Sequence, residues 1–250
     1  ALFQTLGTAP NNAIVKYTNS KQVPNIFIGA IAEKLGDAEA YPWTLPWNPT
    51  GVLEGTQQAH WLIKERPKAK IALLYQNDDL GKDFARGIKI GLGNQAAKAV
   101  VAEATYEVTD PAIDSQIITL QGSGADVLVM AGTPKFGAQA IRKVYDMNWR
   151  PLFIVSNTLS AIESTLKPAG LDKAIGLISA SYFKADPEQW SNDPAMQDYL
   201  SMMRKYYPDA NANDGTNVYG YVTAMAFHEV LRRCGDDLTR ENLMRQATSL

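Results

Sequence analysis

From about residue 68 the sequence keeps a beat that leaves few folds open, with short apolar runs alternating with helical stretches. Lys70-Ile71-Ala72-Leu73-Leu74-Tyr75 is strand-like, and a helix follows from Gly81 to about Ala97. Val100–Tyr106 reads as the next strand and Pro111–Gly122 as the next helix. Ala125–Ala131 then reads as a buried strand, Pro134–Asp146 as a helix, and Leu152–Val155 and Ile175–Ala180 as further strands. Continuous apolar strands separated by helices specify βαβ units and a parallel sheet covered on both faces.

Two of the helix starts carry a strong local signal. Thr133-Pro134 and Asp110-Pro111 each place a capping side chain before a proline at the first helical position. Both follow a strand, so the free N–H groups of these helix starts face the carboxyl ends of the strands, where α/β folds bind ligands. Asp78-Asp79 lie at the same edge. They turn the chain and cap the helix at Gly81, or they meet a ligand or an opposite lobe; the sequence leaves these readings open.

The flanks differ. A helix over about 9–20 and a strand at Asn25–Ile28 precede Tyr41-Pro42-Trp43-Thr44-Leu45-Pro46-Trp47-Asn48-Pro49. Its prolines forbid a helix interior or a central strand, and a stiff extended crossing between lobes fits it. Trp43 and Trp47 are packing anchors there, or the wall of a cleft for a flat ligand. Helices are expected at Ala195–Tyr206, Thr216–Arg233 and Arg240–Thr248. The N-terminus has no signal-peptide pattern, and Ala1-Leu2-Phe3-Gln4 gives neither a cap nor an opening strand, so the chain reads as starting within a fold.

Composition removes several function classes. Net charge is −2 with Lys and Arg scattered, which argues against a nucleic-acid or acidic-membrane surface. A single cysteine, Cys234, excludes an internal disulfide and a multi-cysteine metal site, and its place at a helix end reads as a buried structural thiol. No Gly-rich phosphate loop follows a strand: Gly87, Gly91 and Gly93 lie in or at the end of a helix, and Gly122-Ser123-Gly124 precedes a strand. No G-x-S-x-G elbow occurs, and His60 and His228 are both mid-helix. With no nucleophile and base in view, an enzyme is disfavoured.

Several segments then fall into a known order. They are Leu6-Gly7-Thr8 with Asn12–Tyr17, Lys21–Phe27, Tyr41-Pro42-Trp43-Thr44, and Leu74–Asp79 with Gly81-Lys82-Asp83. Tyr106 through Ile117, Ser123-Gly124-Ala125-Asp126 and Gly235–Asn242 complete the series. Together they resemble the branched-chain-amino-acid-type substrate-binding proteins of ABC transporters. The resemblance implies the α/β type I periplasmic binding protein fold, two Rossmann-like lobes with parallel sheets and a ligand cleft between them. Lobe 1 would be 1–47 and 183–250, lobe 2 would be 48–182, and the family's chain would extend beyond both ends.

The resemblance also implies the ligand-binding residues. These are Gly7, Thr8, Gly29, Ala30 and Ile31 on lobe 1, Trp47 and Asn48 at the crossing, and Leu80, Thr133 and Asn157 on lobe 2. A ligand carboxylate would lie against the lobe 1 donors. Amino-acid-binding members place a carboxylate near Asn157 to balance an ammonium; Asn157 carries no charge, and Leu80 and Ile31 replace more polar or aromatic groups. The expected ligand is therefore a carboxylate without an α-amino group, aromatic or branched, with a branched-chain amino acid as the alternative. Catalytic residues, cofactor and metal are expected to be absent. The partners would be a small molecule and a membrane permease, for a monomer in the periplasm or anchored outside a Gram-positive cell. A ligand-sensing domain of the same fold is the competing reading.

Overall fold

The first strands are very short. β1 (Leu2–Phe3) leads through α1 (Thr8–Ser20) to β2 (Asn25–Ile28), and β3 (Thr44–Pro46) follows. The three form a parallel sheet in the order β1-β2-β3. Two expectations change here. Leu2-Phe3 is a strand after all, held by pairing with β2 and by Phe3, whose ring stacks on Phe227 with centroids 4.4 Å apart. The proline-rich crossing also contributes a strand, and its prolines are tolerated because β3 lies at the sheet edge. The computed structural model describes residues 1–250 and divides into two units, Ala1–Asn48 with Ser181–Leu250, and Pro49–Ala180.

The second unit contains α2 (Gly51–Glu65), β4 (Ile71–Gln76), α3 (Asp79–Leu92), α4 (Ala96–Ala99), β5 (Val100–Tyr106) and α5 (Asp114–Gly122). It continues through β6 (Val127–Ala131), α6 (Pro134–Asp146), β7 (Leu152–Val155), α7 (Lys167–Ala169) and β8 (Ile178–Ser179). All its strands are parallel, in the order β5-β4-β6-β7-β8. The chain reverses its direction of winding at β4 and β6, so the crevice outside their carboxyl ends is the topological switch point. Residues 72 and 74, 128 and 130, and 153 and 155 turn to one face and join Ile117, Leu120, Phe136 and Ile141 in a buried cluster. Two helices meet at backbone distance: a Cβ built on Gly87 would overlap the Val52 carbonyl, and one on Gly55 the Phe84 carbonyl.

Four local details depart from expectation. The helix begun at Asp79 stops at Leu92, because Gly93 takes φ 55° and breaks the run before α4. Asp110 caps no helix: its carboxylate accepts the Glu107 N–H at 2.9 Å, and α5 begins at Asp114. Thr133 is the N-cap residue of α6, but its side chain makes no cap bond and instead donates to Gln76 Oε1 at 3.3 Å. The apolar stretch Ile175–Ala180 pairs only over Ile178–Ser179, at the sheet edge.

The first unit resumes with α8 (Pro194–Tyr206), α9 (Gly215–Cys234) and α10 (Arg240–Ala247). Cys234 is a free, buried thiol at the end of α9 and packs with Ile26, Phe27, Val230, Leu243 and Met244. No helix is long and apolar enough to cross a membrane.

Candidate functional site

In the first unit the expected residues meet around the start of α1. Gly7 has φ 97°, a conformation that a side chain would strain, and its N–H donates to Gly29 O at 2.9 Å. Thr8 is buried, and its hydroxyl accepts the Ile31 N–H at 3.4 Å, which leaves the hydroxyl proton free to be donated. Ala30 and Ile31 are buried beside it. Asn11 locks this loop. Its side-chain amide donates to Thr5 O at 2.9 Å and Gly7 O at 2.8 Å, and its carbonyl oxygen accepts from Thr5 and Asn25.

Asn48 joins the same region through a residue that the sequence did not single out. The Tyr219 hydroxyl on α9 donates to Asn48 Oδ1 at 2.9 Å and stands 3.0 Å from where a Cβ on Gly29 would lie. Burial pushes the Tyr219 phenol up to about 12, opposed by Gln4, so it is a neutral donor at any ordinary pH. Trp47 is partly exposed and also packs on the core. Its ring sits 4.9 Å from the Phe27 ring, and it packs on the core cluster of this unit, as a packing anchor does.

In the second unit the expected residues lie on the loops that leave the strands. Asp78 caps α3, its carboxylate accepting the Gly81 N–H at 3.3 Å, so the turn-and-cap reading of Asn77–Asp79 holds. Leu80 is buried in the first turn of α3. Thr133 follows β6 and is linked through Gln76 to Asp78, which accepts from Gln76 Nε2 at 2.6 Å. The loops after β6 and β7 are tied together by Thr158, whose hydroxyl donates to Gly132 O at 2.8 Å.

Asn157 follows β7, and its side-chain amide donates to Ala180 O at 2.8 Å. Its backbone N–H donates to Glu54 Oε1 at 2.6 Å, and Gln58 Nε2 reaches the same oxygen at 3.1 Å. Burial pushes the Glu54 carboxyl up to about 7, with the Asn157 N–H working against the rise. A carboxyl group therefore lies against the Asn157 backbone. A signal for it exists in the sequence. Glu54 falls at helical spacing within the stripe of Gly51, Gly55, Gln58 and Leu62 that α2 buries.

No group of three His, Cys, Asp or Glu side chains suits a metal ion. His60 and His228 are both exposed on their helices.

With this geometry in hand, three comparisons bear on the chain. A family model described as "periplasmic binding protein" matches residues 1–250. The Leu/Ile/Val-binding protein homolog 8 of Brucella abortus (strain 2308) is 21% identical over 240 residues, covering 92% of this chain and 59% of that protein. The chain thus spans about three fifths of the length of the curated relatives it matches. Among solved structures, a substrate-binding periplasmic protein from Ralstonia solanacearum superposes with TM-score 0.87 at 21% identity, over 100% of this chain and 69% of that one. A branched-chain amino acid ABC transporter protein from Thermus thermophilus with bound valine gives TM-score 0.79 at 15% identity, over 98% and 63%. A fatty acid ABC transporter substrate-binding protein from Thermomonospora curvata gives TM-score 0.78 at 20% identity, over 98% and 61%.

Proposed function

Because this chain belongs to the periplasmic binding protein family, we propose that it captures a small organic acid and presents it to the membrane permease of an ABC transporter. The observation that carries the acid is the meeting of Thr8 with Gly29, Ala30 and Ile31 at the carboxyl ends of β1 and β2. A free hydroxyl proton and the first N–H groups of α1 are donors that favour an anion, and the helix dipole adds to them. Valine and a fatty acid, named with two similar structures, differ in most respects but share a carboxyl group.

On this reading Thr8 and the Gly29–Ile31 loop, with Gly7 and Asn48 beside them, take the carboxylate. Leu80, Thr133 and Asn157 of the other unit hold the remainder. Binding shifts the chain toward the conformation that holds the ligand best, and that conformation is the one a permease reads. The setting is outside the cytoplasm, and the working species is a monomer.

A thermal-shift screen of the full chain against branched-chain amino acids and aliphatic and aromatic carboxylates tests this. Ligand at about 100 times its dissociation constant adds about 2.7 kcal/mol. That should raise the midpoint by roughly 5–10 °C in a chain of this size. A midpoint that no small acid moves would sink the reading.

A further inference from the structure

We propose that Glu54 is a positioning residue: it anchors Asn157, and Asn157 in turn fixes the point at which the chain leaves the second unit. The inference goes beyond the solute-binding reading, on which Asn157 belongs to the ligand site, and makes that residue the link between the site and a chain crossing.

The chain enters the second unit at Pro49 and leaves it after Ala180. The entry is well supported. Thr50 caps α2, its side chain accepting the Leu53 N–H at 3.2 Å, and its carbonyl takes the Glu54 N–H at 3.0 Å. α2 is in turn seated against α3, where the Gly55 and Gly87 backbones leave no room for a methyl group. Glu54 therefore projects from a firm base, one helical turn beyond the entry.

The exit has much less to hold it. β8 is two residues long and lies at the sheet edge, and its ladder to β7 ends at the pair of Val155 and Ser179. Ala180 lies beyond that ladder, and its carbonyl is held by a side chain instead: Asn157 Nδ2 donates to it at 2.8 Å. Asn157 is fixed from its other side, because its backbone N–H donates to Glu54 Oε1 at 2.6 Å. Gln58 completes the clamp, its amide nitrogen donating to Glu54 Oε1 and to Val155 O, each at 3.1 Å. Ser156 and Thr158 tie the neighbouring backbone to Met130 O and Gly132 O, but both of those bonds lead toward β6 and away from the exit.

One path of contacts thus runs from the entry through α2, Glu54 and Asn157 to Ala180. Displacing the Asn157 loop displaces the exit with it, so a ligand that draws on Asn157 acts on Ala180 as well.

Hydrogen exchange of the ligand-free full chain tests this, because it reads each segment separately. Glu54→Ala should speed exchange about tenfold at 157–160 and also at 178–180, as loss of a hydrogen bond to a charged group requires, and leave β4 and β6 unchanged. Glu54→Gln keeps an acceptor for the Asn157 N–H and should bring both segments back to within about threefold of the wild type. Asn157→Ala keeps its backbone bond to Glu54 and loses only the amide side chain, so it should loosen 178–180 and spare 157–160. Wild-type protection at 178–180 in Asn157→Ala would overturn the proposal, and that variant decides it even where Glu54→Ala fails to fold. A uniform loss across 49–180 that Glu54→Gln does not restore would also overturn it, making Glu54 an ordinary contact of the fold. The acid that raises the midpoint most in the thermal-shift screen should protect 157–160 and 178–180 together in the wild type; protection of 157–160 alone would break the coupling. If no acid in that screen raises the midpoint, the solute-binding reading falls, and the ligand-free exchange still decides the role of Glu54.

Discussion

The Pro49–Ala180 unit builds its sheet from strands of up to seven residues and fills one face with a cluster running from Ala72 to Ala169. The other unit pairs strands of two to four residues and spreads its buried side chains over smaller clusters, around Phe27, Val15 and Tyr199. One unit is held by its sheet, whose apolar strands specify register by themselves. The other is held by helices packed on strands too short to do so, with aromatic contacts such as Phe3 on Phe227 taking part. Both units fix their site loops with side-chain hydrogen bonds. The short-strand unit fixes its site loop with an Asn11 network, whereas the long-strand unit has the firmness to keep a carboxyl group without a charged partner.

This contrast can be broken at its strongest point. Gly87→Ala drives a methyl group into the Val52 carbonyl at the α2–α3 contact, where backbone rather than a movable side chain must yield. We expect a loss of about 4 kcal/mol in urea unfolding. A loss no larger than that of a surface substitution would mean this unit is less tightly specified than its packing implies.

A smaller effect sharpens the electrostatic half. The Glu54 carboxyl is raised from 4.5 to about 7 in the folded chain, so the folded state holds this proton more tightly than the unfolded state does. Its contribution is therefore lost as pH rises from about 4.5 through 7. Glu54→Gln has no such dependence, and at pH 8 it should be the more stable protein by about 2 kcal/mol. The gap should close below pH 4.5 in melts run across that range. A gap that does not change with pH would mean that Glu54 is not buried as described. The smallest effect belongs to the short-strand unit: Phe3→Ala, partly buried, should cost about 1–2 kcal/mol by the same urea measurement.

The contrast also governed what the sequence made legible. β4, β6 and β7 are readable because each is largely a continuous apolar run, β5 because its burial alternates along a β-prone run, and α6 because a proline marks its start. β1 was not readable: two residues carry no periodicity, and only pairing with β2 makes them a strand. The caps at Asp110 and Thr133 misled for a related reason. Each side chain had a second partner, the Glu107 N–H or Gln76, that local sequence does not reveal. In the site, Thr8 lies within the recognisable segment Leu6-Gly7-Thr8. Tyr219 does not stand out, since its bond to Asn48 joins positions 171 residues apart. Glu54 is legible at helical spacing beside the buried stripe of α2, although nothing local shows that it reaches Asn157.

The divided chain of the first unit has a consequence for the order of assembly. Residues 49–180 are continuous and can close their core as soon as they leave the ribosome or the translocation pore. Ile26 and Phe27 cannot, because the cluster that covers them draws on Val230, Leu243 and Met244. Until those residues arrive, the opening strands wait as an unfinished apolar edge, dependent on a holding factor or on speed to escape aggregation. Slowing synthesis after Ala180 is accordingly expected to lower the yield of folded molecules more than slowing it within 49–180.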